Sequence, residues 1–436
     1  MSSPMQRYGE FVTKHPIILT ILSIAISVLL IMGVQHLRFT NDYRYFFTNE
    51  NPYLTAFEEL ERTYTSPDTL LFVYQPKDGS KAVSREALSL ADELTTNGWQ
   101  LPYSIRIDSL TNFQNTRAIG EDDLEVRDLV RDPSSLSDAD LAYVEKTILN
   151  EPLLAGRLLA HDARTAAVFV SLKAPRDDPA ATNELIVAAR SLLADMRTKY
   201  PNIRIELTGS QMLSQSFAEA AQRDLSTLTP MMFVIIAVIL IVATRNVFGT
   251  LASMVTVTLS AATAMGAAGW FGIPLSPPAS GAPTIILTVA VADCVHILIS
   301  ALVSRGQGMD KKQAIIESLK INAQPVFLTS VTTAIGLFSL NLSDAPPYRD
   351  LGTIAGMGSL FAWGLSMTLF PALLSLLPMS ASKAVDRQSA AMKSVADWVI
   401  NFRKPLLISM VALTIVSTLL IPRLTFNDRF VEYFDE

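Results

Sequence analysis

The sequence predicts an α-helical integral membrane bundle with an α+β domain of the ferredoxin-like type inserted between its first and second spans. Three observations lead to this class. Apolar runs of about 18 or more residues recur along the chain, the length that a helix needs to cross a bilayer. Residues 37–228 are instead polar and alternate strand-like with helix-like patterns. Overall, 50% of the 436 residues are hydrophobic and 17% are charged, which is far more apolar than a soluble domain requires.

Composition and motifs exclude several classes of function. The formal net charge is −6 and no basic cluster is present, so nothing favours nucleic-acid binding. Cys294 is the only cysteine, which rules out an intrachain disulfide, and the four histidines lack metal-site spacing. The sequence contains no glycine-rich phosphate loop, nucleophile elbow or hydrolytic carboxylate pair. We therefore expect no enzyme and no cofactor, and any work must draw on another energy source.

The first apolar run extends from Pro16 to Val34 and follows a polar segment. No small-x-small cleavage pattern follows it, which favours an uncleaved membrane anchor over a signal peptide.

The polar region 37–228 predicts the element order βαββαβ once an insertion at 112–150 is left out. This order is the split ferredoxin-like arrangement, which is common and does not identify a function. The predicted elements are a strand at 69–74, a helix at 84–95, a strand at 104–110, a hairpin of 154–160 with 165–173, a helix at 180–198 and a strand at 203–208.

The remaining apolar runs predict six more spans, with an amphipathic surface helix at 305–322 between the fourth and the fifth. These spans are 230–244, 247–271, the run centred on Asp293, 325–342, 351–377 and 405–421. The expected domains are a cytoplasmic N-terminus with the first span (1–36), the α+β domain (37–228), spans two to six (229–378), a cytoplasmic linker (379–404), the seventh span (405–421) and the start of a second α+β domain (422–436).

Basic residues predict the orientation. If the N-terminus is cytoplasmic, Arg7, Lys14, Arg245 and the basic groups at 305–320 and 383–404 all lie inside. Arg349 is then the only basic residue in the short outer loops. The α+β domain is therefore expected outside the cytoplasm.

Asp293 is the most informative residue, because an acid near the middle of a spanning helix is costly unless it faces protein or water. On the next span Thr329, Thr332, Thr333 and Gly336 fall at i, i+3, i+4 and i+7. That spacing predicts one polar helical face that approaches the acid closely and donates hydrogen bonds across helices. The alternative is that the threonines bond only their own i−4 carbonyls and that Asp293 stays permanently protonated.

His296 follows Asp293 by one helical turn, so that contact between them is possible. Packing or simple hydrogen bonding is an equally open interpretation of His296. Cys294 is expected to pack rather than to carry out redox chemistry.

The end of the chain resembles its beginning. Lys14-His15-Pro16 before the first span corresponds to Arg403-Lys404-Pro405 before the seventh, and Phe39-Thr-Asn-Asp42 to Phe426-Asn-Asp428. Such a repeat is typical of transporters built from parallel halves. We expect the chain to be the first half of a longer protein, or a half that pairs with another.

Two sets of motifs resemble the RND superfamily of exporters, in the hydrophobe/amphiphile branch that contains the mycobacterial membrane protein large family. The first is Ala292-Asp-Cys-Val-His296 in the fourth span. The second is Pro325 to Leu340 in the fifth, together with Pro346-Pro347, Gly352 and Gly356 near the sixth. Many relatives carry a tyrosine directly after the acid, where this chain has Cys294.

The resemblance implies an RND transporter half located in the cell inner membrane. Its α+β domain would be a porter domain in the periplasm. It implies export of lipids or hydrophobic small molecules, driven by protons as the coupling ion, with a second half or a homo-oligomer as partner. The implied proton-relay residues are Asp293, His296, Thr329, Thr332 and Thr333, and the implied helix-packing residues are Gly336, Gly352 and Gly356. Two alternatives remain: a sterol- or lipid-sensing receptor, and an auxiliary of protein translocation.

Overall fold

The computed structural model describes residues 4–40, 42–64, 68–119, 123–175, 179–379 and 384–425. The helices are α1 (Pro4–Lys14), α2 (Pro16–Ile31), α3 (Pro52–Thr63), α4 (Arg85–Gly98), α5 (Asp138–Asn150), α6 (Pro179–Lys199), α7 (Ser210–Arg223), α8 (Thr229–Thr244), α9 (Val247–Trp270), α10 (Ala282–Gly306), α11 (Lys311–Phe338), α12 (Pro346–Met367), α13 (Leu369–Leu376), α14 (Ala384–Asn401) and α15 (Arg403–Leu420). The strands are β1 (Thr69–Pro76), β2 (Ser104–Asp108), β3 (Gln114–Ile119), β4 (Asp123–Asp128), β5 (Ala166–Leu172) and β6 (Ile203–Thr208).

Within the described ranges, seven helical segments are long and apolar enough to cross a membrane. They coincide with the seven predicted spans, and the chain is a multi-pass membrane protein. Helices α9, α10, α11 and α12 pack against one another and bury the apolar core of the bundle. By contrast, α15 has no buried residue.

The amphipathic helix predicted at 305–322 is not separate from the fifth span. Both belong to α11, which begins after the N-cap residue Asp310 and continues through Pro325. A proline inside a helix removes one donor to the carbonyl four residues before it, and α11 accommodates that loss without ending.

The predicted sixth span is divided at Thr368 into α12 and α13, and Pro371 explains the break. Proline has no N–H to donate to the carbonyl of Met367, four residues earlier. The hydroxyl of Tyr8 on α1 donates to that carbonyl instead, over 2.9 Å. A side chain of the N-terminal helix thus satisfies the carbonyl group that proline leaves open.

The α+β domain contains a four-stranded antiparallel sheet in the order β2-β5-β1-β6. Helix α4 follows β1 and α6 follows β5, so the predicted βαββαβ order is confirmed. Strand β1 alternates strictly, with Leu70, Phe72 and Tyr74 fully buried, because successive side chains of a strand point to opposite faces. The sheet therefore has one apolar face under its helices.

The predicted hairpin of 154–160 with 165–173 is confirmed only next to its turn, where Leu159 pairs antiparallel with Ala166 and the amide of Ala167 donates to the carbonyl of Leu158. The strand predicted over 154–160 is wrong. Only β5 is a strand there, and the preceding segment forms turns with isolated bridges at Ala155–Leu159 and Leu159–Ala166. The insertion at 112–150 forms the β3–β4 hairpin and α5. The segment 426–436, which carries part of the terminal repeat, lies outside the described residues.

Candidate functional site

Asp293 lies at the middle of α10 and is directed to the interior of the bundle. The helix begins after Gly281 with Pro283 in its first turn, where the missing N–H is not needed. Asp293 is 2% exposed, and Ala290 and Ile297 on the same side of the helix are fully buried. At the bilayer centre a carboxylate costs about 2.5–3.5 kcal/mol on insertion scales unless protein or water surrounds it. The structure places protein around it.

Ser330 of α11 is the hydrogen-bond partner of Asp293. Its Oγ donates to Asp293 Oδ2 over 3.1 Å, and the serine is fully buried. The carbonyl oxygen of Ser330 in turn accepts a hydrogen bond from Ser359 Oγ on α12, also over 3.1 Å. Short polar side chains therefore link three helices at the depth of the acid.

The expected hydrogen bonds from Thr329 and Thr332 to Asp293 are wrong in this structure. Both threonines are exposed, and their hydroxyls donate to the carbonyls of Pro325 and Leu328, four residues back on the same helix. One residue turns a helix by about 100°, which is enough to place Ser330 inside and Thr329 outside. Thr333 is half-buried. Threonine hydroxyls in helices commonly donate a hydrogen bond to the carbonyl four residues before them.

His296 lies on the exposed side of α10, together with Thr288 and Ala292. The described residues contain no hydrogen bond between His296 and Asp293. Cys294 is fully buried beside the acid, in agreement with a packing role.

The buried side of α11 carries a signal that points to Ser330. Asn322, Val326, Ser330 and Ala334 recur at every fourth position, and all four are buried. Small residues four apart are typical of close helix contacts in membranes. The threonine spacing was the more conspicuous polar pattern, but it marks the opposite side of the helix.

The three glycines predicted for helix packing differ from one another. An added Cβ at Gly352 would clash with the carbonyl oxygen of Leu337, and one at Gly356 would lie 2.6 Å from the ring of Phe338. Both glycines therefore allow α12 to approach α11 closely. At Gly336 no atom of the described residues lies within 4 Å of the Cβ position, so the packing predicted there is not made within this part of the chain.

A further close contact joins α9 to the end of α2, and the sequence did not reveal it. Added Cβ atoms at Gly266 and Gly269 would clash with the carbonyl oxygens of Leu30 and Gly33. Glycines at i and i+3 on one helix let two backbones touch. The span that leads into the α+β domain is thereby fixed against the core of the bundle.

Two contacts connect the membrane bundle with the chain that enters the α+β domain. Leu275, in the loop before α10, exchanges backbone hydrogen bonds with Arg38 and Thr40, over 2.7 and 3.2 Å. The hydroxyl of Tyr45 donates to Asp350 Oδ2 at the start of α12, over 2.7 Å. Burial raises the pKa of Tyr45, and Asp350 adds to this shift by hydrogen bonding and by charge.

The α+β domain contains a cavity of about 470 Å³ on the sheet face opposite its two helices. Leu71, Leu154 and Phe169 supply apolar walls, while Arg106 and Asp108 form an ion pair of 2.8 Å at the polar side. A cavity of this size and mixed lining suits a small amphiphile. No group of three or more His, Cys, Asp or Glu side chains able to hold a metal ion is found within the described ranges.

The geometry above can be compared with known proteins. Residues 106–406 of the chain, more than half of its length, match the MMPL family. This chain belongs to the MMPL family. The match includes Asp293, Ser330 and the cavity residues of the α+β domain other than Leu71.

Several named proteins are similar to this MMPL chain. The siderophore exporter MmpL5 of Mycobacterium tuberculosis is 24% identical over 303 residues, which cover 67% of this chain and 31% of the relative. The probable transport protein MmpL9 of the same species is 23% identical over 327 residues, covering 73% and 34%. The putative membrane protein MJ1562 of Methanocaldococcus jannaschii is 25% identical over 174 residues, covering 40% and 45%. The chain thus spans less than half of the length of these relatives.

Proposed function

We propose that this MMPL chain is part of a proton-driven exporter that moves lipids or other hydrophobic or amphiphilic molecules across the cytoplasmic membrane. The observation that carries the proposal is Asp293, a carboxyl group with 2% exposure in the middle of a spanning helix. Ionisable groups inside membranes commonly mark ion or proton paths. Membership in the MMPL family and one relative named as a siderophore exporter support the same function.

In this mechanism Asp293 takes up a proton from the outer side and releases it inward. One charge moved through 100 mV corresponds to about 2.3 kcal/mol, enough to shift a balance between two conformations. The hydrogen bond from Ser330 and the contact of Ser359 with Ser330 link the charge on Asp293 to the positions of α11 and α12. Loss or gain of the proton therefore favours different packings of three helices.

The α+β domain acts as a periplasmic porter domain that receives the cargo. Leu275 connects the loop before α10 to the chain entering this domain, and Tyr45 connects the domain to α12. Helix movements at Asp293 thus reach the domain through α10 and α12. The cavity beside Phe169 and Arg106 is the proposed capture site, because it offers apolar walls and a charged side.

A second membrane bundle completes the transporter. His296, Thr329 and Thr332 are exposed in the single chain, although polar groups in spans normally face protein or water. We assign these three residues, with Thr333, to a surface that a second half or a second copy covers.

Uptake of a fluorescent lipid analogue into inside-out vesicles of the native membrane tests the proposal, since any required partner is present there. We expect an imposed pH gradient to drive uptake and Asp293→Asn to reduce it to background at equal expression. Asp344→Asn, an exposed acid in an outer loop, is the matched control and should transport normally. A siderophore is the second cargo to offer, because one relative is named as a siderophore exporter.

Unchanged uptake by the Asp293→Asn protein would make the acid structural and place the proton path elsewhere. If no cargo moves in the unmodified protein, the sensing function takes precedence over export.

A further inference from the structure

A pocket of about 540 Å³ lies where α1 meets α11 and α12. We call it the α1 pocket. Its walls are Tyr8 of α1, Ala323 and Phe327 of α11, and Trp363, Gly364 and Met367 of α12. The pocket is open on one side and is separate from Asp293.

The depth of the α1 pocket follows from its neighbours. Thr368 at its edge lies 3.4 Å from the hydroxyl of Ser23 in α2. Ser23 is in the second turn of α2, which begins at Pro16, so the contact lies about 10 Å inside that end of the span. In a hydrocarbon core about 30 Å thick, this depth lies among the acyl chains of one leaflet. The pocket therefore opens to the acyl chains of the leaflet that α1 touches.

The chemistry of the α1 pocket selects an apolar occupant. The hydroxyl of Tyr8 already donates to the carbonyl of Met367, and the hydroxyl of Thr368 donates to that of Gly364 over 2.7 Å. The rings of Phe327 and Trp363 meet edge to face at 5.2 Å and form an aromatic wall. The polar hydroxyls of the lining are thus engaged within the protein, and the wall offers carbon and aromatic surface.

The rim of the pocket carries polar groups that a headgroup can meet. Gln324 is exposed at its edge, one residue before Pro325, where the amphipathic part of α11 passes into the span. Amphipathic helices such as α1 lie at the boundary between headgroups and acyl chains. The pocket therefore has an apolar interior and a polar edge at Gln324, as a phospholipid has an acyl chain and a polar headgroup.

We propose that the α1 pocket binds one acyl chain of a phospholipid from the leaflet on the α1 side of the membrane. Its volume falls within the range of about 300–1,000 Å³ that small-molecule sites occupy. The site does not depend on transport, because a bound lipid that never moves would fill it equally well.

Trp363 gives the site an internal reporter. The full chain is prepared with Trp363 as its only tryptophan, by Trp99→Phe, Trp270→Phe and Trp398→Phe, and is titrated in detergent with a phospholipid brominated on its acyl chain. Bromine quenches tryptophan fluorescence on contact, so a specific site gives saturable quenching at low lipid content. A protein that keeps only Trp270, at the opposite membrane surface, is the control and should show a linear, unsaturated decrease.

Gly364→Leu is the decisive variant, because nothing lies within 4 Å of its Cβ position and the new side chain enters the pocket without a clash. We expect half-saturation to require about tenfold more lipid, since leucine takes the place of several methylene groups. Gly336→Leu has equally open surroundings on the outer half of α11 and should leave the titration unchanged. Met5→Arg, at an exposed residue of the pocket wall, serves as a second blocking variant.

Saturable quenching that both blocking variants weaken supports the site. Linear quenching of Trp363, or equal titrations for Gly364→Leu and Gly336→Leu, overturns it. Because the measurement involves no proton gradient, its outcome is independent of the transport experiment with Asp293→Asn.

Discussion

Ser330 and Thr329 are adjacent and both carry a hydroxyl group, yet they have opposite surroundings. Ser330 is fully buried and donates to Asp293, whereas Thr329 is exposed and donates to a carbonyl of its own helix. The same contrast separates Asp293 from His296 on α10. The comparison teaches that the side of the helix, rather than the residue type, decides which polar group meets the buried acid.

The largest effect on stability is expected from a packed glycine, Gly352 of α12, compared with an open one, Gly336 of α11. Gly352→Leu places a side chain against the backbone carbonyl of Leu337, which cannot move away, and should cost about 3 kcal/mol or more. Gly336→Leu enters open space and should be neutral or slightly stabilising, because glycine is a poor helix former. Thermal unfolding of both proteins in the same detergent measures the difference. Equal shifts would show that α11 and α12 do not meet as described.

The second prediction concerns the exposed side. A spin label at Thr332→Cys, in a Cys294→Ala background, should be mobile in the isolated chain and immobilised in native membranes, where a second bundle covers it. A label at Val242→Cys, on the exposed surface of α8, is the control and should stay mobile in both. Mobility at position 332 that does not change between the two preparations would remove the proposed partner surface.

The third prediction compares the adjacent hydroxyls directly. Ser330→Ala removes a buried hydrogen bond to a carboxyl group, an interaction that contributes about 1.5–3 kcal/mol when the group is charged, and should slow transport severalfold. Thr329→Ala loses only a bond within its own helix and should transport at the normal rate. Initial uptake rates at a fixed pH gradient distinguish the two. Equal rates would mean that the serine merely packs beside Asp293.

The smallest effect is expected at the contact between the bundle and the α+β domain. Tyr45→Phe removes the hydrogen bond to Asp350 and should lower the free energy of unfolding by about 1 kcal/mol. Because the pKa of Tyr45 is raised in the folded protein, its contribution is complete below the ordinary tyrosine pKa of about 10 and is lost as the pH rises through the folded value. Tyr53→Phe, on an exposed face of α3, is the control. A loss at pH 7 no larger than that of Tyr53→Phe would contradict the assignment.

The sequence predicted the spans and most of the α+β domain because both depend on periodicity that each segment carries by itself. It predicted the depth of Asp293 for the same reason. It did not predict Ser330, because α11 has two polar sides that could each face Asp293. The packing of α10 and α12 against α11 decides which of them does. The strand predicted at 154–160 failed for a similar reason: the apolar residues there are compatible with a strand, but turns precede Leu159 and leave it only isolated bridges to its neighbours.

The contact of Leu275 with Arg38 and Thr40 is made by main-chain atoms alone. These hydrogen bonds do not depend on which side chains the three residues carry. Only a proline at a donor position would remove one of them, because proline has no backbone N–H. The mechanical connection between the helix of Asp293 and the chain that enters the α+β domain can therefore persist through extensive sequence divergence. In the proposed mechanism, the contact that transmits motion is then free to vary in sequence, whereas the contacts that hold the acid depend on particular side chains.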